Sequence, residues 1–486
     1  MIGGFEALPV TFPPVTLTTV KPMPTNTSIQ SYADAQAFLF SRFNLERTMV
    51  EPSPDTFKLE RMRQLAGLLG NPQSQIPTIH IAGTKGKGSV SSMLSQILTE
   101  AGYTTGLFTS PHLEHLGQRF CINGVASSEQ EIVDILKQIV PAVEEMDRRD
   151  VENPDIDLKP TFFEITTAFT FLYFLKHHVD IAVIEVGLGG RLDSTNICEP
   201  ILTAITNIGL DHTEILGDTL ELIAGEKAGI IKANIPVVNG CDLPGPREVI
   251  ERVAANHTAP LLNVANEITY EEATSSSMYP QLSSVRINDQ LQWSDLTIGL
   301  PGIHQINNAA VCLGLVHELI KQDYALSPIA VRAGLSKVKC HGRLELFKGQ
   351  PNILLDVAHN PNSTHALVEF LNSHFANKKL HLILSCSRDK QYDEIGEILA
   401  PHFHSLTLTK YQNNPRSVEP QTLFDAIVSS CNNLATRTQI IVSPLEALQQ
   451  VRQQAAPDDL IVVTGSFYLI AELRPLVLVD LKKNSS

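Results

Sequence analysis

Residues Thr78-Ile79-His80-Ile81-Ala82-Gly83-Thr84-Lys85-Gly86-Lys87-Gly88-Ser89 decide how this chain is read. Thr78–Ala82 is a short β-type run, and Gly88–Ala101 has helical spacing. A strand, a glycine loop and a helix in that order aim backbone N–H groups and a helix N-terminus at one point, which favours anionic oxygens. Glycine lets the backbone approach a ligand with no Cβ in the way. Lys87 can then reach outer phosphates, and Ser89 can face a Mg²⁺ ion. The spacing departs from the strict phosphate-loop pattern: two residues separate Gly83 from Gly86, and Gly88 stands between Lys87 and Ser89. The alternative is a flexible glycine turn joining a strand to a helix.

Strands and helices alternate on both sides of this unit. Tyr32–Phe43 and Lys58–Leu69 have helical patterns, the second stopped by Gly70-Asn71-Pro72. Tyr103–Thr109, Ile181–Glu185 and Ile201–Ile205 read as strands; Thr166–His177, Leu220–Lys232 and Ile306–Lys321 read as helices. Around Val264–Asp295 the texture becomes polar and alternating, which predicts a small antiparallel excursion. After Gly342 a second series begins, with strands at Asn352–Asp356, Leu380–Ser385, Ser405–Thr409 and Leu460–Thr464. Helices are expected at Ser363–Ser373, Tyr392–Leu399, Pro420–Ser429 and Pro444–Gln453. Such alternation predicts mainly parallel sheets covered by helices. The expected division is a flexible tail over 1–28, a central domain over 29–334 and a smaller C-terminal domain over 335–486.

The 486 residues are 43% hydrophobic and 18% charged, a globular composition with enough apolar residues for sizeable cores. A net charge of -15 disfavours nucleic acid and anionic membranes as partners. It leaves room for an anionic small substrate held by a local Lys/Arg cluster. Seven cysteines without a CxxC pair read as reduced thiols, and the start of the chain lacks a signal-peptide pattern, so a cytoplasmic protein is expected.

The loop resembles the GTNGKGS motif of the folylpolyglutamate synthase/dihydrofolate synthase family, in the Mur ligase superfamily, with Lys85 where Asn is usual. Further segments similar to that family follow in order: Thr109–Leu113, Thr161–Glu164, Glu185–Asn196, Leu210–Thr213, Gly225–Ile230, His304-Gln305 with Asn308–Ala310, Gly342–Glu345, Asp356–Pro361 and Gly465-Ser466. The resemblance implies an α/β protein. A Mur-ligase-like central P-loop ATPase domain with a mainly parallel sheet would carry a smaller Rossmann-like C-terminal glutamate-ligase domain. It also implies ATP-dependent ligation of L-glutamate to dihydropteroate, and to reduced folates, through an acyl phosphate. The substrates would be small molecules only, and the family is often monomeric.

The same resemblance distributes roles. Ser110, Glu185 and His212 would hold Mg²⁺, as one or two ions. Thr84, Lys85, Gly86, Lys87, Gly88, Ser89, Asn308, Arg343 and Asp356 would bind ATP. Arg119, Thr161, Phe162, Phe163, Glu164, Leu192, Asp193 and Ser194 would line the pterin site, with Phe163 stacking and Asp193 accepting hydrogen bonds from an amino-pyrimidine edge. Lys87, Lys227 and His359 would be catalytic, and Lys227 would carry a carbamate bridging to a second metal. Taken alone, Lys227 reads as a surface helix lysine; the competing readings are a surface ion pair for Arg343, an ordinary strand-end carboxylate for Glu185 and core packing for Phe163. Two other functions compete: a Mur-type ligase acting on another carboxylate acceptor, and a nucleotide-binding protein that has lost ligation.

Overall fold

A computed structural model describes residues 29–47, 58–153, 157–273, 277–429 and 434–484. The expected tail over 1–28 lies outside the described residues. The first sheet has eight strands: β1 (Thr78–Ala82), β2 (Thr105–Phe108), β3 (Phe120–Ile122), β4 (Val125–Ala126), β5 (Ile181–Glu185), β6 (Pro200–Ile205), β7 (Val237–Asn239) and β8 (Leu261–Asn263). Their order is β4-β3-β2-β5-β1-β6-β7-β8, parallel except at the β2-β3-β4 edge. All five residues of β1 and of β5 are buried, as expected for central strands covered on both faces.

One face is covered by the helices Lys87–Glu100, Gln305–Lys321 and Pro328–Lys337, whose apolar residues join Ile79, Ile81 and Val183 in one core. The last of these helices lies close against the first. A Cβ added at Gly334 would sit 2.5 Å from Ile97 Cα, so only glycine allows the approach. The other face is covered by Tyr32–Phe40, Leu59–Leu68, Glu129–Glu152 and Phe162–Lys176, around Phe108, Phe120, Phe169 and Phe174. The 24-residue helix Glu129–Glu152 was not among the sequence expectations. Ser128 and Glu131 form a capping box at its start.

The antiparallel excursion is a three-stranded sheet of β9 (Ile268–Glu272), β10 (Gln281–Ile287) and β11 (Gln290–Thr297). The second large sheet contains β12 (Glu345–Phe347), β13 (Asn352–Leu355), β14 (Leu380–Leu384), β15 (Ser405–Leu408), β16 (Thr438–Ile440) and β17 (Leu460–Thr464), in the order β12-β13-β17-β14-β15-β16. Only the β12-β13 pair is antiparallel. The border expected at 334/335 falls inside the Pro328–Lys337 helix, whose Leu335 is wholly buried in the core of the first unit. The chain leaves that unit after Val338, which belongs to the same core.

Candidate active site

The chain leaves β1 toward β2 on one side and leaves the neighbouring β5 toward β6 on the other, so the connections diverge at the carboxyl ends of this strand pair. Open α/β sheets bind ligands at such switch points. The loop Gly83–Gly86 sits there, and Gly86, at φ 82°, is the N-cap of the Lys87–Glu100 helix. The end of β6 grips it from the side. Thr84 N donates to Asn207 O at 3.0 Å, Lys85 N donates to Asn207 Oδ1 at 2.8 Å, and Thr206 Oγ1 donates to Lys85 O at 2.5 Å. Thr84 Oγ1 accepts from Gly209 N at 3.0 Å. An added Cβ at Gly83 would overlap the Thr206 hydroxyl, and one at Gly86 would overlap the Asn308 carboxamide. The glycines are therefore demanded by close neighbours as well as by backbone angle. Thr206 and Asn207 were missed from sequence, because only the β1-β6 pairing brings them to the loop.

A cavity of about 1350 Å³ opens over this loop and is shared by both units. Drug-sized sites enclose about 300–1,000 Å³, so more than one substrate has room here. Its wall carries more Lys and Arg than Asp and Glu, although the chain as a whole is acidic. The first unit supplies Lys85, Lys87, Glu185 and His212; the second supplies Arg343, Asp356, His359, Lys390 and Arg416.

Residues 81–316 match the Mur ligase middle domain, and residues 342–467 match the Mur ligase glutamate ligase domain. The dihydrofolate synthase/folylpolyglutamate synthase of Bacillus subtilis is 36% identical over 448 residues, 91% of this chain and 98% of that protein. The chain belongs to the folylpolyglutamate synthase/dihydrofolate synthase family. Mycobacterium tuberculosis folylpolyglutamate synthase, solved with ADP and AMPPCP, superposes with a TM-score of 0.81 at 31% identity, covering 92% of this chain and 98% of that one. Escherichia coli FolC, solved with DHPP and ADP, superposes with a TM-score of 0.78 at 25% identity, covering 93% and 99%. The fold is the Mur ligase fold expected from the sequence motifs.

In this member of the family, two lysines converge beneath the loop. Lys87 Nζ donates to Gly83 O at 3.0 Å, and Lys227 Nζ donates to the same oxygen at 3.1 Å. Lys227 is no surface lysine: it is 4% exposed, and burial, with Lys87 adding repulsion, brings its amine down to about 7. Lys85 donates to Asp211 Oδ2 at 2.7 Å, and Lys390 reaches Asp211 Oδ1 at 3.3 Å across the two units. Burial opposes ionisation of Asp211, but the charges of Lys85, His212 and Lys390 outweigh it and hold the carboxyl well below the usual range.

Glu185 ends β5 and is 5% exposed; burial raises its pKa, while Lys87 and Arg343 favour the anion. An added Cβ at Gly88 would touch Glu185 at 3.6 Å and Arg343 at 3.7 Å, so the start of the helix faces both. Among the described residues no three His, Cys, Asp or Glu side chains gather as a metal cluster. The expected set includes a hydroxyl, and Ser110, Glu185 and His212 all line the cavity. Burial lowers the His212 pKa to about 4, which leaves a neutral imidazole able to donate its lone pair. A carboxylate and a hydroxyl suit Mg²⁺, which retains waters and takes phosphate oxygens for the rest of its shell.

On the C-terminal side, Asp356 Oδ2 accepts from Leu344 N and Oδ1 accepts from Ala358 N, at 2.8 and 2.9 Å. Leu344 sits at φ 45°, uncommon for leucine, and this carboxylate pins it there so that Arg343 enters the cavity. Burial raises Asp356 to about 6. His359 donates Nδ1–H to Val357 O at 2.8 Å, and burial holds its pKa at about 3, which leaves Nε2 as an acceptor. Asn308 donates to Gln305 Oε1 at 2.9 Å beside Gly86.

The acceptor-side residues divide. Phe163 lies across Gly187 and beside the Phe108 ring, at 5.9 Å between centroids, with part of it on the cavity wall. Thr161 and Glu164 line the wall but also form the capping box of the Phe162–Lys176 helix, and Glu164 accepts Arg61 Nε at 2.9 Å. That helix begins at Phe162 and not at Thr166, because this box caps it. Asp193 accepts Leu188 N at 2.9 Å and Thr195 N at 3.0 Å, and Ser194 Oγ pairs with Thr167 Oγ1 at 2.6 Å; Leu192 completes the patch. Arg119 is a correction to the expected wall. It is fully buried, bound to Glu46 Oε2 at 2.5 Å and His112 Nδ1 at 2.8 Å, with its guanidinium 5.2 Å above the Phe162 ring. It supports the wall from behind.

Proposed function

We propose that this chain catalyses ATP-dependent ligation of L-glutamate to dihydropteroate and to reduced folates, acting as a cytoplasmic monomer. The observation that carries the reading is the shared cavity, which sets the glycine loop, Lys87 and Glu185 of the first unit opposite Arg343 of the glutamate ligase match. The relatives named as dihydrofolate and folylpolyglutamate synthases support it.

The loop amides and Lys87 bind the ATP phosphates. Attack by an acceptor carboxylate oxygen on the γ-phosphorus forms an acyl phosphate and releases ADP. The glutamate amine then attacks the acyl carbon, the C–O bond to phosphate breaks, inorganic phosphate leaves and the amine loses a proton. Arg343 stabilises negative charge that grows on the transferring group. Asp356 keeps Arg343 in place, and assembly of the two units around the cavity excludes water. Ser110, Glu185 and His212 would hold Mg²⁺, which would supply charge neutralisation at the phosphates. A Lys227 amine near 7 is neutral often enough for its nitrogen to bond the carbon of CO₂ and lose a proton to solvent, giving a carbamate that replaces a buried cation with an anion. A ¹³C carbamate signal after labelling with ¹³CO₂, absent in Lys227→Met, tests that step.

A mass-resolved assay with dihydropteroate, ATP, Mg²⁺ and glutamate tests the whole reading. Product one glutamyl residue heavier than the acceptor, matched by ADP, is expected. ADP formation that ignores dihydropteroate and responds to a different carboxylate acceptor would point to another Mur-type ligase, and no ADP under any acceptor to lost ligation.

A further inference from the structure

The turn Phe43–Arg47 joins parts of the molecule that the reaction described above leaves unexplained. Its own shape is local: Asn44 Oδ1 accepts Glu46 N at 2.9 Å, and Asn44 O accepts Arg47 N at 3.0 Å. On one side it is tied to the acceptor wall. Phe43 O accepts Phe162 N at 3.0 Å, and the Glu46 carboxylate pairs with buried Arg119, which covers the Phe162 ring. On the other side the Glu46 carbonyl accepts three donors from the second unit: Tyr468 Oη at 2.6 Å, Asn414 Nδ2 at 2.9 Å and Arg416 Nη1 at 3.4 Å. Arg47 Nη2 adds a bond to Asn413 O at 3.2 Å.

Three donors on one carbonyl exceed its two lone pairs, so the loop 413–416 is gathered onto a single backbone atom. Asn414 is 3% exposed, and its Oδ1 also accepts Arg416 N at 3.0 Å. Arg416 and Tyr468 stand on the cavity wall, whereas Asn414 does not. Arg416 is also paired with Asp389 in its own unit, with Nε donating to Oδ1 at 3.2 Å, so the Glu46 carbonyl is the group that ties these two wall residues to the side of the cavity that carries Phe162.

We propose that Glu46 is a positioning residue: its side chain registers on the acceptor wall through Arg119, and its carbonyl sets Arg416 and Tyr468 where the incoming glutamate binds. This rests on the proposed glutamate ligation for its kinetic consequence, but the linkage itself does not depend on activity.

The test uses the full-length protein and two variants, Glu46→Gln and Asn414→Ala. Glu46→Gln removes the charge pair in the first unit and leaves the carbonyl in place. Amide hydrogen exchange at Arg416, in the second unit, is expected to rise about tenfold. Unchanged exchange at Arg416 overturns the proposal whether or not the protein is active. Asn414→Ala is expected to raise the glutamate KM about tenfold while the acceptor KM and the ADP Kd stay within twofold. A glutamate KM within twofold of the parent, or parallel losses in all three ligands with a lower Tm, also overturns it. Failure of the parent to make product would instead count against the proposed ligation, and the exchange measurement would still decide the linkage.

Discussion

Gly86→Ala is expected to damage nucleotide binding far more than its size suggests. Gly86 has φ 82°, and an alanine held there costs about 1–2 kcal/mol. The new Cβ would stand 3.1 Å from Asn308 Cγ and closer still to Oδ1. Relieving that overlap means turning the carboxamide and losing its bond to Gln305 Oε1, worth about 1 kcal/mol. Together these disfavour the phosphate-ready loop by about 2–3 kcal/mol, or about 30- to 150-fold in ADP affinity. Gly70→Ala is the matched control, because Gly70 has the same φ of 82° and nothing within 4 Å of its added Cβ. Calorimetry with ADP and denaturant midpoints should be measured on both. Gly70→Ala should lose stability and keep its ADP affinity; Gly86→Ala should lose affinity. ADP binding by Gly86→Ala within twofold of the parent would refute the claim that the loop geometry makes the site.

Lys227→Met should stabilise the protein most at low pH. Burial brings the folded amine down to about 7 from the ordinary lysine value of about 10.5, so the unfolded chain holds the extra proton between those values and parental stability rises with pH there. The buried-charge cost is fully present below that window. In CO₂-depleted buffer the Tm difference between variant and parent should shrink from about pH 6 to about pH 9; a constant difference contradicts the assignment. Asp356→Asn leaves one of the Leu344 and Ala358 amides facing an NH₂ group, a loss of about 1–3 kcal/mol that frees Arg343. Its kcat should fall at least about tenfold, and steady-state rates within twofold of the parent would show that Arg343 is held by something else. Lys87→Ala should abolish glutamate-dependent ADP release with the fold intact by circular dichroism; retained turnover would remove Lys87 from the mechanism.

Much of the fold was legible because burial writes itself into local composition. The central strands β1, β5 and β17 matched their expected bounds residue for residue, since wholly buried parallel strands are short apolar runs with sharp ends. Glu129–Glu152 carried readable signals, the Ser128/Glu131 box and an apolar stripe from Ile132 to Met146, and was still passed over. Other features lay beyond any local pattern. Thr206 and Asn207 act on the loop only through strand pairing. Lys227 reads as a surface residue until its helix is packed under Gly83. The family resemblance assigns Arg119 to a wall, yet the Glu46 carboxylate and the Phe162 ring let its charge be buried behind one. The domain border was placed too early because Pro328–Lys337 has an apolar face that either unit could have covered, and Gly334 suits it to the first.

In the proposed reaction the γ-phosphoryl group of ATP passes to the acceptor carboxylate before the amide forms. Dihydropteroate labelled with ¹⁸O in its carboxylate tests it directly, by mass analysis of the phosphate released in one turnover with ATP, Mg²⁺ and glutamate. One labelled oxygen is expected to leave in inorganic phosphate while the other remains in the new amide. Unlabelled phosphate beside authentic glutamylated product would contradict it.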